Sequence, residues 1–433
     1  MAKEIFDSIL EKIKPSRAEL ERIEELVAEL KRKIEAGFKK GRIKADIFIG
    51  GSLAKNTLIK KERYDIDLFV RFNFKNYCSK QGKLSNILEK VMKLHKLKYK
   101  RIHGSRDYFQ IKAERMPVVF EIVPVLSIRN PKEARNVTDL SFFHVNYVSK
   151  HASEKLADDI RLAKAFCYAQ NCYGAESYIQ GFSGYAVELL VLHFSGFMKF
   201  IKEVINWEKP LSENKKIVID PAKHYKNADD VITQINEAKL ASPVVLVDPT
   251  YSARNATASL SVETLLRFIG ACKELVKNPG GKSFERKKPD IALIRKIAVK
   301  KGAKLAVLFA GAKSLKEEVA SAKLRKFFDF VVFIMQKNGF AVLKKEIEFA
   351  GKEAKMYATY KKPSSIRIVP GPPINKIDSL LNFRKKYRKV FIKNSKAFAR
   401  ARRKIKDIKG LVNSVNSSPE IRDMGISAFN IVK

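Results

Sequence analysis

The sequence predicts a multidomain α+β protein, and three observations predict it. Apolar residues recur at helical spacing near the start, short alternating runs fill residues 45 to 126, and the last third interleaves helical and strand patterns. Between them, from 141 to 278, the pattern is mostly helical. With 433 residues, 45% of them hydrophobic and 10% aromatic, the chain has material for roughly two to four packed domains. Wholesale disorder is excluded.

The elements follow in order. Ile5, Ile9 and Ile13, then Leu20, Ile23, Val27, Leu30 and Ile34, form a 3.6-residue stripe that Pro15 interrupts, so two helices are predicted. The runs ADIFIG, YDIDLFVRF, YFQIKA and PVVFEIVPVL predict strands of a small sheet. A hairpin turn at Glu114 to Pro117 would lay the strand of Phe120 and Glu121 beside that of Tyr108. Helix returns with Leu156, Ile160, Ala163 and Phe166 on one face, followed by an apolar run from Tyr185 to Phe197. VVLVDP then predicts a short strand, YSARNATASLS a polar loop, and the next stretch a helix to about Lys277.

NPGGKS predicts a domain boundary, because two glycines after a proline cannot continue that helix. Beyond it, ALIRKIAVKKG, LAVLFAG, KLRKFFDFVVFIMQKNG, AVLKKEIEF and AKMYATYKK alternate helix and strand. Residues Arg384 to Lys409, with thirteen Lys/Arg and one acid, predict a basic helical tail on which Phe383, Tyr387 and Phe391 form a buried stripe. The expected division is a catalytic head at 1–140, a central binding domain at 141–278 and an α+β body with a basic tail at 279–433.

Charge narrows the function. Lys and Arg number 86 against 46 Asp and Glu, a formal net charge of +40. A field of that sign serves a polyanion, and nucleic acid is the first candidate. Four cysteines (Cys78, Cys167, Cys172, Cys272) are too sparse for a disulfide framework and lack zinc-ligand spacing, so they are expected as reduced core thiols. The apolar stretches at 189–200 and 327–335 are too short to span a bilayer, and the opening residues lack a secretory core, so a soluble, cytoplasmic protein without membrane partners is expected.

The chemistry concentrates in IFIGGSLAKNTLIKKERYDIDLF. A strand ends at Gly50 and Gly51, Ser52 can cap the next helix, and the backbone N–H groups there suit a triphosphate, with Lys55 one turn on. Asp65 and Asp67 alternate on one strand and so share a face, where they repel unless a cation lies between them. Glu121, a lone carboxylate in an apolar strand, is costly unless paired or bound to metal. Three carboxylates beside a phosphate-binding turn could hold two Mg2+ ions, and that combination points to nucleotidyl transfer.

GGSLAKNT, DIDLF and FEIVPV together resemble the nucleotidyltransferase superfamily that includes DNA polymerase beta. The downstream segments VTDLSFFH, LAKAFCYAQNCYGAESYIQGFSGYAVELLVLHF and VVLVDPTYSARNATASLS are similar to those of the archaeal, class I tRNA nucleotidyltransferases, the CCA-adding enzymes. The likeness is close over about residues 45 to 270. It implies a polymerase beta-like head, Mg2+ held by Asp65, Asp67 and Glu121, and a triphosphate met by Gly51, Ser52, Lys55, Lys164 and Tyr173. It implies that Ser141 and His144 lie near the nucleotide and that Arg254, with Asn255 beside it, reads the base. It further implies CTP, ATP and the acceptor stem and elbow of tRNA as partners, with a homodimer left open.

The chain departs from the family pattern at three places. The carboxylates run Asp65, Asp67, Glu121 where Glu, Asp and then Asp are usual; Lys55 replaces an arginine; and Leu140 and Ser141 stand in place of Arg-Thr. In the tail, Arg384, Lys385, Arg388, Arg400, Arg402 and Arg403 are the expected phosphate contacts. Two other readings stay open: another template-independent RNA nucleotidyltransferase, such as a poly(A) polymerase, and a noncatalytic RNA-binding protein on the same fold.

Overall fold

The computed structural model describes residues 2–286, 289–313 and 316–432. It divides into two compact units, one of residues 1–175 with 179–287 and the other of 176–178 with 288–433.

The first unit opens with helices α1 (Ala2–Ile13) and α2 (Arg17–Lys40), separated at Pro15. Ser16 caps α2 in a reciprocal box with Glu19. A five-stranded sheet follows, built from β1 (Ala45–Ile49), β2 (Tyr64–Asn73), β3 (Lys100–Ile102), β4 (Tyr108–Lys112) and β5 (Val118–Ser127). The order is β1-β2-β5-β4-β3, with β2 and β5 parallel and the other neighbours antiparallel. Short helices α3 (Gly51–Ala54) and α4 (Phe74–Tyr77) flank β2, and α5 (Leu84–Leu94) lies in the connection that makes the parallel pairing. The apolar residues of α2 and α5, among them Ile23, Val27, Ile34, Leu88 and Met92, cover one face of the sheet. That leaves the face of Asp65, Asp67 and Glu121 for another partner.

The middle of the unit supplies that partner. Helices α6 (Ser141–His151), α7 (Glu154–Ala169), α8 (Gly184–His193), α9 (Phe197–Asn206) and α10 (Glu208–Ser212) precede β6 (Ile217–Ile219), α11 (Ala228–Gln234), β7 (Val244–Asp248), β8 (Tyr251–Asn255) and α12 (Val262–Lys277). Phe142 on α6 meets Phe48 on β1, with ring centroids 5.1 Å apart. The core here gathers Phe166, Leu189, Phe200, Trp207 and Phe268. Ile9 joins the same core, so α1 packs with the middle of the chain rather than with the sheet that follows it in sequence. Cys167, Cys172 and Cys272 are buried in it as free thiols, and Cys78 is a partly exposed one. Among the described residues no single helix is long and apolar enough to cross a membrane.

One sequence reading is corrected here: YSARN is not loop but β8, paired antiparallel to β7. Its polar residues hid the strand because side chains on β8 are partly exposed until Asn255.

The second unit contains α13 (Ile291–Lys300), β9 (Lys304–Ala312), α14 (Glu317–Lys337), β10 (Ala341–Ala350), β11 (Glu353–Lys361), β12 (Ile366–Pro373), α15 (Ile377–Lys386), β13 (Val390–Lys393), β14 (Lys396–Arg402), α16 (Ile408–Asn416), α17 (Glu420–Asp423) and β15 (Ile426–Ile431). Strands β10-β11-β9-β15 form one sheet, packed against Leu324, Phe327, Phe328 and Val331 of α14. Strands β12-β14-β13 form another.

The basic helical tail is corrected. Helix α15 ends at Lys386, residues 390–402 form the hairpin β13–β14, and helix resumes only at Ile408 with α16. Asn394 and Ser395 carry φ of 47° and 56° between the paired Lys393 and Lys396. Two consecutive left-handed residues make a two-residue hairpin turn, and KAFARAR alternates small buried Ala with exposed bases as a strand does. Phe383, Tyr387 and Phe391 therefore form no helical stripe: Phe391 stacks on Phe398 across the hairpin at 5.7 Å.

Candidate active site

Strand register brings the carboxylates together. Asp67 lies opposite Glu121 on the parallel neighbour, and Asp65 precedes Asp67 by two, so all three share one face of the sheet. On β2 they alternate with the buried Ile66 and Leu68, which anchor the opposite face. Gln110 on β4 lies opposite Glu121 and donates its amide to Oε1 at 2.8 Å. Arg63 Nε donates to Asp65 Oδ1 at 3.2 Å. Burial pushes the Asp67 carboxyl up to about 6, Asp65 and Glu188 act in the same direction, and Lys55 and Lys164 oppose them.

No group of three or more His, Cys, Asp or Glu among the described residues is gathered tightly enough to hold a metal ion. The donor chemistry nevertheless fits a hard cation, because Asp65, Asp67 and Glu121 offer only oxygen and a cation would relieve the repulsion that raises Asp67.

The turn beside them is tightly built. Gly50 is the N-cap of α3, and no side chain caps this helix. Ser52, expected as the cap, instead lies within α3, and its carbonyl accepts the Thr57 N–H at 2.9 Å. The Gly50 N–H donates to the Asp67 carbonyl at 2.9 Å, which ties the turn to the carboxylate strand. Gly51 has φ +59°, and a Cβ there would sit 1.8 Å from Asp67 Oδ2. Only glycine fits both constraints.

Behind the turn lies a buried polar cluster that sequence reasoning resolved only in part. Lys55 Nζ donates to Glu188 Oε2 at 2.5 Å and Lys164 Nζ to Oε1 at 2.7 Å. Thr57 Oγ1 donates to Glu188 Oε1 at 2.9 Å and lies 2.9 Å from Lys164 Nζ. Lys55, Lys164 and Glu188 all have less than a tenth of their side chains exposed. Burial alone would raise the Glu188 carboxyl, but Lys164 and Lys55 outweigh it and hold it at about 2. Burial and the neighbouring Lys55 lower Lys164 to about 8, against the pull of Glu188, since one carboxylate cannot neutralise two ammonium groups. Arg161, fully buried, donates to the Leu58 carbonyl and to Asn56 Oδ1, and so fastens the same loop to α7.

Glu188 was missed although its signal was present. It is the lone carboxylate in GYAVELLVLHF, the same pattern that singled out Glu121. Lys61 was missed too: its Nζ lies 5.7 Å from both the Tyr168 and Tyr173 ring centroids, on the side of Lys164. Tyr173 packs with its hydroxyl against Gly184, where a Cβ would lie 2.7 Å away.

A second hub is Asp248, whose side chain has no solvent exposure. Its Oδ2 accepts from His144 Nε2 and from Arg254 Nη1, each at 2.9 Å. Its Oδ1 accepts from Tyr185 Oη at 3.0 Å and from the Thr250 N–H and hydroxyl at 2.9 and 2.8 Å. Burial would raise this carboxyl, but His144, Arg254 and the Thr250 amide keep it well below the usual carboxylate range. An ionised Asp248 only accepts, so His144 carries its proton on Nε2. Burial lowers the His144 pKa, and the hydrogen bond to Asp248 opposes it.

The Tyr185 ring joins the two hubs: it stacks on His144 at 4.1 Å, with the Arg254 guanidinium 5.6 Å and Lys55 Nζ 5.8 Å from its centroid. Asn255 stands apart from them. It is buried, donates to the Lys239 and Val244 carbonyls and accepts from Leu246 and Thr257, so it braces β8 against β7 and its amide does not face the site. Ser141 lies farther along the carboxylate face of the sheet, lining a small cleft with Phe48, Phe69 and Arg71.

In the second unit Arg384, Lys385, Arg388, Arg400 and Arg402 are exposed. Arg403, also expected to meet phosphate, is half-buried and donates its guanidinium to the carbonyls of Ser364 and Asn338, so it ties the sheet to the end of α14.

Three family models tile the chain. Residues 1–140 match the second messenger oligonucleotide or dinucleotide synthetase domain, 158–285 the second domain of tRNA nucleotidyltransferase, and 301–423 the C-terminal domain of the CCA-adding enzyme. The CCA-adding enzyme of Nanoarchaeum equitans is 35% identical over 350 residues, covering 80% of this chain and 81% of that protein. That of Methanocaldococcus jannaschii is 28% identical over 429 residues, covering 95% and 90%. Among solved structures, an RNA terminal uridylyl transferase superposes with a TM-score of 0.51 at 12% identity, over 66% of this chain and 98% of its own; that likeness concerns the fold alone.

Proposed function

The chain belongs to the archaeal CCA-adding enzymes, and on that premise we propose that it adds C, C and A to the 3′ end of tRNA from CTP and ATP, without a nucleic-acid template. The observation that carries the reading is the register of β2 and β5, which sets Asp67 beside Glu121 and both beside the turn at Gly51. The alternating Asp65 completes a face of three hard donors that would hold Mg2+, two ions in our reading. Bound there, the metal supplies positive charge against the triphosphate and favours ionisation of the attacking 3′-hydroxyl.

The chain's own residues do the rest. The turn at Gly51 and Ser52, with Tyr173 beside it, receives the triphosphate and orients its α-phosphate toward the carboxylate face, while Lys55 and Lys164, buried behind the turn with Glu188, act on it through their excess positive charge. His144 and Arg254 face the base. Asp248 is fully hydrogen-bonded beneath them and holds both in place. The exposed bases of α15 and the β13–β14 hairpin meet tRNA phosphates, contacts that read backbone and shape and so accept every tRNA. In this reading residues 1–140 form the head, 141–278 the central domain and 279–433 the RNA-binding body.

The test is incubation of the protein with tRNA lacking its CCA end, Mg2+ and each nucleoside triphosphate singly and in combination. CTP alone should add two residues, CTP with ATP three, and extension should then stop. A run of A without use of CTP would overturn the assignment in favour of a poly(A) polymerase.

A further inference from the structure

Among the described residues Arg254 is the one arginine that pairs with Asp248, and its orientation is decided from below. Its side chain is about one fifth exposed, whereas the carboxylate it meets is not exposed at all. Among the described contacts a single N–H of the guanidinium is spent, on Asp248 Oδ2, and the guanidinium lies over the Tyr185 ring. The same oxygen takes the His144 Nε2–H, so the two groups are hung from one atom at equal distances of 2.9 Å. The other oxygen is held by three donors on Tyr185 and Thr250. A carboxylate with five partners has no freedom to turn, and a guanidinium paired to it inherits that rigidity.

We propose that Asp248 is a positioning residue for base selection: by clamping Arg254 and His144 in one fixed orientation it makes the pattern of donors and acceptors offered to the incoming base match cytosine and adenine and reject uracil and guanine. This rests on the reading in which Arg254 faces the base. Asp248 touches neither nucleotide nor metal in this scheme. Its effect passes through the arginine, because a fork free to rotate would find acceptors on any base.

The experiment compares single-nucleotide incorporation of CTP, ATP, UTP and GTP on tRNA lacking CCA by the full chain and three variants. Asp248→Asn keeps the shape but loses the charge that Arg254 and His144 share. It should lower the kcat/KM preference for CTP over UTP about ten- to a hundredfold, the worth of one charge-assisted hydrogen bond, while inhibition by pyrophosphate stays as in the wild type. Arg254→Ala should lower the preference at least as far. In the double variant Asp248→Asn should add nothing further, an outcome that a purely structural role would not produce.

If Arg254→Ala lowers selectivity and Asp248→Asn does not, or if the two effects multiply in the double variant, the positioning role is overturned while the base-reading role of Arg254 stands. If Arg254→Ala itself leaves selectivity unchanged, the base-reading assignment fails first. Should Asp248→Asn fail to fold, Thr250→Val removes one donor to Oδ1 and leaves the carboxylate charged. Selectivity should then fall in the same direction by a smaller factor, and unchanged selectivity in that variant would overturn the proposal.

Discussion

Replacing Glu188 by glutamine removes the carboxylate paired with two buried ammonium groups, 2.5 and 2.7 Å away, and leaves the shape almost intact. Breaking a buried ion pair from one side costs about 3 to 5 kcal/mol. Lys164 can limit its share by releasing a proton: without Glu188, which raises it, its pKa falls below the wild-type value of about 8, so deprotonation at pH 6.5 costs less than the roughly 2 kcal/mol it would cost in the wild type. Lys55 loses the carboxylate it is buried against, so the net loss at pH 6.5 is expected at about 3 kcal/mol or more, a large part of the 5 to 15 kcal/mol typical of a folded domain.

The pH dependence follows from the two directions. Glu188 is lowered from 4.5 to about 2 in the fold, so its stabilisation is present above pH 4.5 and is lost as pH falls toward 2. Lys164 is lowered from 10.5 to about 8, so the unfolded chain binds more protons between those values and stability rises with pH across that window. The wild-type advantage over Glu188→Gln should therefore be largest just above pH 4.5, shrink as pH rises toward 8 because the variant's Lys164, lacking Glu188, loses its proton first, and shrink again below pH 4.5. Urea unfolding followed by fluorescence reads this directly, because Trp207 is the sole tryptophan and is buried in the core that α8 shares. A variant within about 1 kcal/mol of wild type at pH 6.5, or a difference that does not change with pH, would refute the ion-triad argument.

Three further outcomes are expected. Asp65→Ala or Asp67→Ala should abolish nucleotide incorporation while tRNA affinity, measured by filter binding, stays within about twofold; retained incorporation in either would remove the carboxylate face from the chemistry. Gly51→Ala places a Cβ 1.8 Å from Asp67 Oδ2 at φ +59°, so it should cost about 1 to 2 kcal/mol of stability and reduce incorporation about a hundredfold, and near-normal kinetics would show that the turn and Asp67 move independently. Reversing the charges of Arg384, Lys385, Arg388 and Arg400 should flatten the salt dependence of tRNA binding by roughly 0.9 per lost phosphate contact, while reversal of Arg403 should instead lower stability. An unchanged slope in the fourfold variant would place the tRNA elsewhere.

The division of the chain into helical and strand regions was legible because it rests on periodicity, which is local. Asp65 and Asp67 could be placed on one face from their spacing of two, and Glu121 stood out because an ionisable group in an apolar run needs a partner. The hairpin at 390–402 was not legible as such. A dense run of Lys and Arg has adequate helix propensity, and only the left-handed pair Asn394 and Ser395 turns it back on itself. Polarity likewise disguised β8, whose ladder partner β7 decides its conformation.

What sequence alone determined about this protein was its membership of a family, the shared face of Asp65 and Asp67 and the glycine turn before them, since each is carried by short motifs along the chain. Tertiary structure decided which charges are spent. Lys55 and Glu188 lie 133 residues apart and His144 and Asp248 lie 104 apart, so neither partnership leaves a local trace. Asn255 and Arg403 look available in the sequence and are consumed by backbone carbonyls in the fold. The physical reason is common to all four: burial makes an unpaired polar group expensive, and which distant group satisfies it is settled only when the chain has folded.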